Sequence, residues 1–421
     1  MPLSARPVFC GVDFGTSNST LGLADAEGAR LLPLEGDSVT LPSAVFIEVD
    51  HAPPRFGRAA LAAYLDGEDG RLMRGLKSTL GSGLINERTA VGSRAVSFRD
   101  VLSRFIGHLR LRLDSAHPGL TATTLGRPVH FVDDDLAADQ AAEDALAAIA
   151  REHGFTDIAF QYEPVAAALD YEQSLTEERL VMVFDIGGGT SDISVIRLGP
   201  APSRRADRSG DILANGGIRV GGTDFDRLLS LAEAMPHLGH GSTLKGGALT
   251  MPRHLFLDLA TWHRINALYS ARTAADLKGL RADADRPELI DRLIRVVTDR
   301  NGHALAIEVE RAKITLSDAD AARLTLAPLT GGPNPMATRD RFEQAVEAPV
   351  ARIRALVAAT LAQAGVKAAD IGTVFMTGGS SGLPVLRGMV AEALPGIPIA
   401  TGDMLGSVGT GLALDARRRF G

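Results

Sequence analysis

The sequence predicts an α/β fold made of two similar halves that face each other across a ligand cleft. The first observation is a repeated pattern: an apolar run that leads into an Asp and a glycine turn occurs at 8–19 and again at 180–192. Another short β-like run follows each turn, so each pattern predicts a strand, a tight turn and a strand. The second observation is that both halves continue with short apolar runs and segments of helical period, as α/β units do.

The composition is that of an ordinary folded protein and excludes several classes. The chain has 421 residues, with 45% hydrophobic and 23% charged residues, enough for about two to four domains. A net charge of −7 without a long basic run argues against nucleic acid as the main partner. The single cysteine, Cys10, excludes an internal disulfide. No apolar run approaches the roughly 20 residues of a membrane span. Residues 1–7 lack the apolar stretch of a signal peptide, so we expect a cytoplasmic protein without a membrane partner.

The first half alternates predicted strands and helices. Strands are predicted from short apolar runs bounded by Gly, Asp and Pro, at 8–12, 19–24, 44–49 and 129–132. Helices are predicted from a 3.6-residue apolar period, at about 55–116, 136–153 and 163–178. The carboxylates of Asp133, Asp134 and Asp135 suit the positive N-terminal end of the second helix, and Gly154 suits its end. Pro164 is tolerated in the first turn of the third helix.

The second half repeats this order and carries a larger helical insertion. The β pattern restarts at about 180, helices dominate 224–316, and later elements are predicted at 340–364, 373–376, 384 onward and 404–419. We therefore divide the chain into lobe I, 1–178, and lobe II, 179–421. Lobe I has a core of 1–40 and 125–178 with an insert at 41–124. Lobe II has a core of 179–222 and 340–421 with a helical insert at 223–339.

The two glycine turns predict a phosphate site. Glycine lets backbone N–H groups approach an anion closely, and hydroxyl groups add donors at Thr16, Ser17, Thr190 and Ser191. Asp13 and Asp185 would converge on the same point if the halves face each other. Carboxylates do not lie beside phosphates without a cation, so Mg²⁺ is expected, held largely through water. The chain has no Gly-x-x-x-x-Gly-Lys-Ser/Thr motif, so it is not a P-loop protein.

Six segments together resemble one family. They include Gly-Val-Asp-Phe-Gly-Thr-Ser, Asp-Ile-Gly-Gly-Gly-Thr-Ser-Asp, Glu-Pro-Val-Ala-Ala-Ala and Glu-Arg-Ala-Lys-Ile-Thr-Leu-Ser, and they lie at 11–17, 162–168, 184–192, 220–226, 310–317 and 376–384. The chain resembles the nucleotide-binding domain of DnaK-type heat-shock chaperones, in the actin/hexokinase superfold, and is most similar to the YegD-like branch. The resemblance implies a duplicated actin-like ATPase fold, two lobes with a nucleotide cleft between them.

The resemblance also implies a role for each matching residue. It implies that Asp13 and Asp185 organise Mg²⁺ and that Lys77 stabilises charge on the transferred phosphoryl group. It further implies that Glu163 and Asp192 orient the attacking water or neighbouring cations and that Thr16 and Thr190 contact the β- and γ-phosphates. The remaining nucleotide-binding residues implied by the resemblance are Gly15, Ser17, Asn18, Gly187, Gly188, Gly189, Gly221, Gly222, Glu310, Lys313, Ser317, Gly378, Gly379, Ser380 and Asp403.

The chain departs from the chaperone pattern at several positions. The two arginines that sandwich adenine in the chaperones are replaced by Ile314 and Gly382, and each lost stack removes roughly 0.5–2 kcal/mol of attraction. Asn18 replaces an aromatic residue, and Thr223 stands where an acidic residue is usual. The sequence also shows no acidic-leucine linker and no β-sandwich after the last helix, so we expect a chaperone-like protein without the peptide-binding domain.

Three functions follow from these patterns. The first is a slow Mg²⁺-dependent ATPase that hydrolyses ATP to ADP and phosphate and acts as a conformational switch for an unidentified protein partner or client. Its cofactors would be ATP or ADP, Mg²⁺ and K⁺ as a further cation. The second is a small-molecule kinase of the same superfold, acting on a sugar-type acceptor. The third is an actin-like filament-forming ATPase. Shared fold does not choose among them.

Overall fold

The computed structural model describes residues 7–50, 52–205 and 208–421. The first six residues of the N-terminal stretch, in which we expect no signal peptide, lie outside the described residues. Within the described ranges the strands are, in chain order, β1 (Phe9–Phe14), β2 (Asn18–Asp25), β3 (Gly28–Leu31), β4 (Leu41–Pro42), β5 (Ala44–Glu48), β6 (Arg55–Phe56), β7 (Gly70–Arg74), β8 (Arg88–Val91), β9 (Arg94–Ser97), β10 (Ala122–Arg127), β11 (Asp157–Tyr162), β12 (Arg179–Ile186), β13 (Ser191–Leu198), β14 (Ile212–Ile218), β15 (Ala321–Arg323), β16 (Met336–Thr338), β17 (Thr373–Thr377) and β18 (Ile399–Thr401).

The helices of the same ranges complete the α/β pattern. In chain order they are α1 (Gly57–Leu65), α2 (Phe98–Ala116), α3 (Leu136–Glu152), α4 (Glu163–Glu172), α5 (Gly222–Leu229), α6 (Arg253–Leu259), α7 (Ala271–Asp283), α8 (Pro287–Thr298), α9 (Gly302–Asp318), α10 (Ala327–Thr330), α11 (Arg339–Ala345), α12 (Glu347–Ala364), α13 (Pro384–Ala393) and α14 (Ser407–Phe420). None of the described helices combines the length and the apolar character that a membrane crossing requires.

The chain forms two compact units. The larger α/β unit contains residues 1–222, 352–382 and 386–421, and the smaller helical unit contains 223–351 and 383–385. The helical unit starts one residue after the glycine pair Gly221–Gly222, where the predicted helical insert also starts. The division of the chain into two lobes at 178 stays a prediction.

The α/β unit is built on two sheets with related topology. In the first sheet the strand order is β11-β10-β1-β2-β3, and β4 also pairs with β2. In the second sheet the order is β14-β13-β12-β17-β18. In each, a glycine turn joins a central antiparallel pair, β1–β2 or β12–β13, and the first strand of that pair also has a parallel neighbour. This correspondence confirms the predicted duplication, because the same hairpin occupies the same place in both sheets.

The cores of these sheets form from their buried faces. Residues of β1, β2 and β10 pack with α2 and α3 in one apolar cluster, in which Phe14 contacts Phe105 with ring centroids 5.6 Å apart. A second cluster joins the second sheet to α4 and α14 through Val183, Phe375 and Leu412. These two clusters anchor the sheets that carry the hairpins, and the glycine turns at 15–18 and 187–190 are half-buried.

The helical unit has its own core. Leu289, Ile290 and Leu293 on α8 are buried, as expected from the apolar stripe of that helix. Leu305 and Val309 on α9 are buried as well. The β15–β16 hairpin pairs Ala322 with Ala337 and belongs to the same unit. The helices predicted for 224–316 are therefore present.

Four sequence predictions about elements were wrong at least in part. The strand predicted at 129–132 is a loop that follows β10, and the helix predicted at 163–178 ends at Glu172. The stretch 55–116 is helical only in α1 and α2; between them lie β7 and the β8–β9 hairpin, whose short alternating runs give a weak signal. The single helix predicted at 340–364 is two helices, because α11 ends before Val346 and α12 starts after it. By contrast, Asp135 is the N-cap of α3 as predicted, since its carboxylate accepts the Ala138 N–H at 3.0 Å.

Candidate functional site

The two glycine turns lie directly against each other. A Cβ atom added to Gly188 would overlap the Ser17 hydroxyl, and one added to Gly189 would lie 2.7 Å from the Thr16 hydroxyl. Glycine suits this close approach, because a Cβ at either position would force the facing hydroxyl group to move. The sequence predicted that both turns bind one ligand, and the structure brings them into contact.

Each turn is held by hydrogen bonds from neighbouring segments. The Ser43 hydroxyl donates to the Gly15 carbonyl at 2.7 Å, which fixes the first turn ahead of Asn18 at the start of β2. In the second turn the Gly187 N–H donates to the Thr190 carbonyl at 3.0 Å. The Gly187 carbonyl in turn accepts the Ser380 hydroxyl at 3.1 Å. Both turns are therefore held by hydrogen bonds within the protein itself.

Glycines that follow two strands of the second sheet, β14 and β17, also lie at this site. Gly378 has φ +83°, a conformation that favours glycine, and an added Cβ would lie 2.5 Å from Asp185 Oδ1. Gly221 lies against the backbone of Gly188, where an added Cβ would be 2.7 Å from the Gly188 carbonyl carbon. Gly222 donates its N–H to the Gly187 carbonyl at 2.9 Å. The glycines predicted from three separate segments thus meet at one hairpin.

A buried ion pair lies in the same unit. Lys77 belongs to a single 3₁₀ turn, Leu76–Thr79, and its ammonium contacts Glu163 Oε1. Both side chains are buried, with 7% and 9% of their side-chain surface exposed. Burial alone would lower the pKa of Lys77, but the charges of Glu163 and Asp13 outweigh that effect and raise it. Lys77 is therefore a permanent cation at this site.

Glu163 is positioned by the start of a helix. It is the first residue of α4 and Pro164 follows it, which fixes the backbone at the helix N-terminus. The helix dipole favours a carboxylate at this position. A side chain 86 residues away in sequence from Lys77 is thereby brought to it. The resemblance implied a role for each of the two residues, but the contact between them was not predicted.

The carboxylates around Lys77 could carry more negative charge than its single positive charge balances. Burial and repulsion by Glu163 raise the pKa of Asp13 and of Asp185 well above the usual range for a carboxyl. Burial, then Glu163, raises the pKa of Asp192 to about 7, although the Thr190 hydroxyl and the Val129 N–H oppose the shift. Carboxyl groups that raise one another's pKa values, although Lys77 is present, indicate a site with too little positive charge to balance them.

A magnesium ion would balance this excess of negative charge, and the oxygen atoms present suit such an ion. Within the described ranges, Asp192 Oδ2 is buried and has no hydrogen-bond partner, whereas Oδ1 accepts the Val129 N–H at 2.7 Å. Among those residues, no group of three or more His, Cys, Asp or Glu side chains is arranged to hold a metal directly. Mg²⁺ typically keeps several water ligands and adds one or two carboxylates and substrate phosphates. The donor set of Asp13 and Asp185 fits that mode.

The residues predicted to bind the nucleoside lie on other elements. Glu310, Lys313 and Ser317 share one face of α9, at the i, i+3 and i+7 positions. Lys313 is buried and forms an ion pair with Asp226 at 2.8 Å within the helical unit. Ile314 is 59% exposed. The nucleotide-binding role of this face stays a prediction.

A second predicted nucleoside element lies in the α/β unit. Asp403 is exposed and caps the loop before α14, where its Oδ1 accepts the Leu405 N–H at 3.1 Å. Leu405 lies beside Gly379, since a Cβ on that glycine would be 3.4 Å from the leucine side chain. The loops of Gly379 and Asp403 are therefore neighbours, as the resemblance implied.

Sequence reasoning missed the cluster that supports Asp192. Arg127, at the end of β10, contacts Glu143 and donates to Asp139 at 2.5 Å. Asp139 in turn accepts the Phe131 N–H at 2.5 Å. The loop that donates the Val129 N–H to Asp192 is thus fixed from α3. An arginine at the end of a strand, followed by Asp and Glu at helical spacing, was the available signal.

Two family models match parts of the chain. A model described as Hsp70 protein matches residues 294–416, and a model described as MreB/Mbl protein matches residues 130–230. The second range contains the glycine turn at 187–189 and the carboxylates Asp185 and Asp192. The two matches therefore fall on different parts of one duplicated fold.

Curated relatives match almost the whole chain. "Chaperone protein HscA" of Yersinia enterocolitica is 27% identical over 435 residues, and the "Chaperone protein HscA homolog" of Bordetella pertussis is also 27% identical over 435 residues. The HscA homolog of Burkholderia pseudomallei is 29% identical over 432 residues. Each match covers 98% of this chain and 58% of the relative, so the chain spans little more than half the length of these chaperones. The chain is therefore similar to Hsp70 chaperones over nearly its whole length, and its two related sheets form a duplicated α/β fold of the actin-like type.

Proposed function

We propose that the chain binds Mg²⁺-ATP between its two glycine turns and hydrolyses it slowly to ADP and phosphate. The observation that supports this most strongly is the buried Lys77–Glu163 pair, together with Asp13, Asp185 and Asp192 in the unit where the two turns touch. The single positive charge of Lys77 does not balance the four carboxylates, which suits a site completed by a metal and a polyphosphate. The backbone N–H groups of both turns suit the phosphate oxygens.

Each side chain has a distinct task in this proposal. Asp13 and Asp185 would hold Mg²⁺ through water, and the ion would supply charge neutralisation of the phosphates. Lys77 stabilises the negative charge that develops on the transferred phosphoryl group, and it is already desolvated for that purpose. The free Oδ2 of Asp192 accepts a hydrogen bond from the attacking water, which orients the water for in-line attack. Thr16 and Thr190 donate hydroxyl hydrogen bonds to the phosphates.

The biological output we propose is a nucleotide-dependent conformational switch that acts on a protein partner or client. The matched relatives bear the name chaperone, and this is the support for that output. ATP would then select one arrangement of the chain and ADP another, so the nucleotide regulates a partner more than it drives chemistry on a substrate.

A thermal-shift titration with Mg²⁺-ATP, Mg²⁺-ADP and Mg²⁺-GTP tests nucleotide binding. A ligand at 100 times its dissociation constant adds about 2.7 kcal/mol of stability. We expect a clear shift with ATP and ADP, its loss in Asp13→Asn, and its retention in Asp37→Asn, which changes an exposed aspartate. No shift at millimolar nucleotide would refute the proposed site.

Phosphate release then tests the chemistry. We expect slow release by the wild type, more than about tenfold slower release by Asp185→Asn, and a lower rate when K⁺ is replaced by Na⁺. ADP release that depends on an added sugar would instead indicate the kinase alternative. Pelleting that depends on ATP would indicate the filament alternative. Unchanged turnover in Asp185→Asn would refute the assigned role.

A further inference from the structure

The segment 219–222, which follows β14, is attached to the second glycine hairpin. The Ser191 hydroxyl donates to the Val220 carbonyl at 2.8 Å. Gly222 donates its N–H to the Gly187 carbonyl, and Gly221 lies against Gly188. Any shift of this segment therefore displaces the hairpin that carries Asp185 and Thr190.

The same segment also reaches the turn that carries Lys77. Arg219 Nη2 donates to the Ser78 carbonyl at 3.3 Å, and Ser78 is the residue after Lys77. The backbone N–H of Arg219 donates to both carboxylate oxygens of Asp133, at 3.1 Å each. Asp133 lies 3.8 Å from Arg352 Nη2 as well. Arg219 is thus fixed through its backbone while its guanidinium contacts the Lys77 turn.

The Lys77 turn is closed by local hydrogen bonds, since the Ser78 hydroxyl donates to the Gly75 carbonyl at 2.6 Å and the Thr79 hydroxyl donates to the Leu76 carbonyl at 2.7 Å. It is a single 3₁₀ turn, Leu76–Thr79, that starts after Gly75 at φ +66°. Leu76 and Leu80 anchor it to the apolar cluster below. Short 3₁₀ turns have poor hydrogen-bond geometry and little intrinsic stability. The Ser78 carbonyl, held by Arg219, is the point where the turn meets the second half of the sequence.

We propose that Arg219 is a positioning residue that aligns Lys77 with the second glycine hairpin. It does so by joining two elements that come from different halves of the sequence: the 3₁₀ turn of Lys77 and the segment bonded to Gly187 and Ser191. A displacement of about 1 Å at a reacting group can cost about a hundredfold in rate. This inference rests on the proposed ATPase function, because alignment of Lys77 matters only if a phosphoryl group is transferred there.

The test compares two substitutions of Arg219. Arg219→Met keeps the aliphatic stem and removes the donors, whereas Arg219→Lys keeps one charged donor within reach of a single carbonyl. Arg354→Met is the matched control, because Arg354 is 53% exposed and pairs with Glu392 on the surface. Single-turnover hydrolysis at saturating Mg²⁺-ATP, the dissociation constant of Mg²⁺-ATP, and amide hydrogen exchange at 76–80 are measured for each.

We expect Arg219→Met to lower the hydrolysis rate about tenfold while the dissociation constant changes less than about twofold, the pattern of a group needed in the transition state only. Arg219→Lys is expected to regain most of the rate, and Arg354→Met to match the wild type. Amide exchange at 76–80 is expected to be faster in Arg219→Met without nucleotide.

The outcomes separate this inference from the proposed function. A wild type that hydrolyses no ATP contradicts the proposed function and with it the kinetic role of Arg219. If the wild type hydrolyses ATP and Arg219→Met does so equally fast, the positioning role is wrong. Equal losses of rate and affinity, without rescue by Arg219→Lys, would also overturn it, because they indicate a general structural defect.

Discussion

At the residue scale, the Lys77–Glu163 pair determines the electrostatics of the site. Removal of one member of a buried ion pair leaves an uncompensated charge, at a cost of about 3–5 kcal/mol. The two members are not equivalent here. Lys77 attracts Glu163, Asp13 and Asp192, whereas Glu163 also repels Asp13 and Asp185 and raises their pKa values.

This difference predicts unequal effects of two isosteric substitutions. We expect Lys77→Met to lower the free energy of unfolding by about 3 kcal/mol, and Glu163→Gln to lower it by less, because its removal also relieves repulsion. Urea unfolding in buffer with a metal chelator gives both values. The control is Lys278→Met at an exposed position, expected within about 0.5 kcal/mol of the wild type. An equal effect of Lys77→Met and Lys278→Met would contradict the buried pair.

At the element scale, the glycine turns and α14 depend on close backbone contact. A Cβ on Gly411 would overlap the Ala166 carbonyl, so α14 meets α4 backbone to backbone. Gly11 and Gly22 lie opposite each other on β1 and β2, and both lie against α14. The strands below the first glycine turn and the helix that starts with Glu163 therefore share one supporting helix.

The helix contact predicts a large effect of one methyl group. Gly411→Ala is expected to destabilise the fold by about 2–3 kcal/mol or more, because a backbone carbonyl cannot move aside as a flexible side chain can. Gly388→Ala on α13 is the matched control, since nothing lies within 4 Å of its added Cβ. Alanine there is expected to be neutral or stabilising by up to about 1 kcal/mol. If the two variants unfold at the same urea concentration, the close contact at Gly411 is ruled out.

The facing turns predict a separate effect on nucleotide affinity. Gly188→Ala places a methyl group against the Ser17 hydroxyl and pushes the turns apart. We expect the dissociation constant of Mg²⁺-ATP to rise more than about tenfold, the equivalent of roughly 1.4 kcal/mol. Gly210→Ala, where an added Cβ has nothing within 4 Å, should bind as the wild type does. Isothermal calorimetry measures both, and unchanged affinity in Gly188→Ala would show that the turns do not form the site.

The elements were predictable where local signals are strong. Apolar runs that end in an Asp and glycines specify β1–β2 and β12–β13, and Asp135 caps α3 as expected. The β8–β9 hairpin was missed, because its four-residue strands carry only a weak alternation that helical neighbours obscure. Val346 interrupts the predicted helix 340–364, and the signal for a new helix was Pro349, which lies in the first turn of α12, where proline is tolerated.

Most residues of the candidate site could be predicted from the sequence, but the contacts between them could not. Local pattern gave the two turns and their carboxylates, and the resemblance supplied Lys77 and Glu163. The contact of Arg219 with Ser78 spans 141 residues, and that of Asp192 with Val129 spans 63. Tertiary packing determines such pairs, and no short window of sequence contains them. Arg127 and Arg219 were therefore missed.

At the scale of the whole molecule, the single cysteine reports on unfolding. Cys10 lies in β1 and has no exposed surface, and burial raises its pKa to about 12. At pH 8 almost no folded protein therefore carries the Cys10 thiolate, which is the reactive form. We expect iodoacetamide to label Cys10 only when the first sheet opens, at a rate that increases as urea increases. Because unfolding restores an ordinary thiol pKa, the fully unfolded protein should label rapidly.

Nucleotide should slow this labelling if it binds the folded chain. Ligand binding to the native state reduces the open population by the factor 1 + [L]/Kd. Intact-mass measurement reads the modification directly, because the chain has one cysteine. Protection by Mg²⁺-ATP in the wild type and its absence in Asp13→Asn are the expected results. Rapid, complete labelling of the native protein would contradict the buried environment of Cys10.

The backbone contact between α4 and α14 has a mechanical consequence. Side chains at an interface absorb small displacements by changing rotamers, and an interface made of backbone atoms has no such compliance. At 1.5 Å per residue, the ten residues of α4 form a rod about 15 Å long, with Glu163 at one end. A displacement of Glu163 is therefore expected to displace α14. Because Gly11 and Gly22 lie against α14, the strands of the first hairpin are expected to move with it. The backbone contact between α4 and α14 therefore makes the two helices move together, because no side-chain rearrangement can absorb a displacement between them.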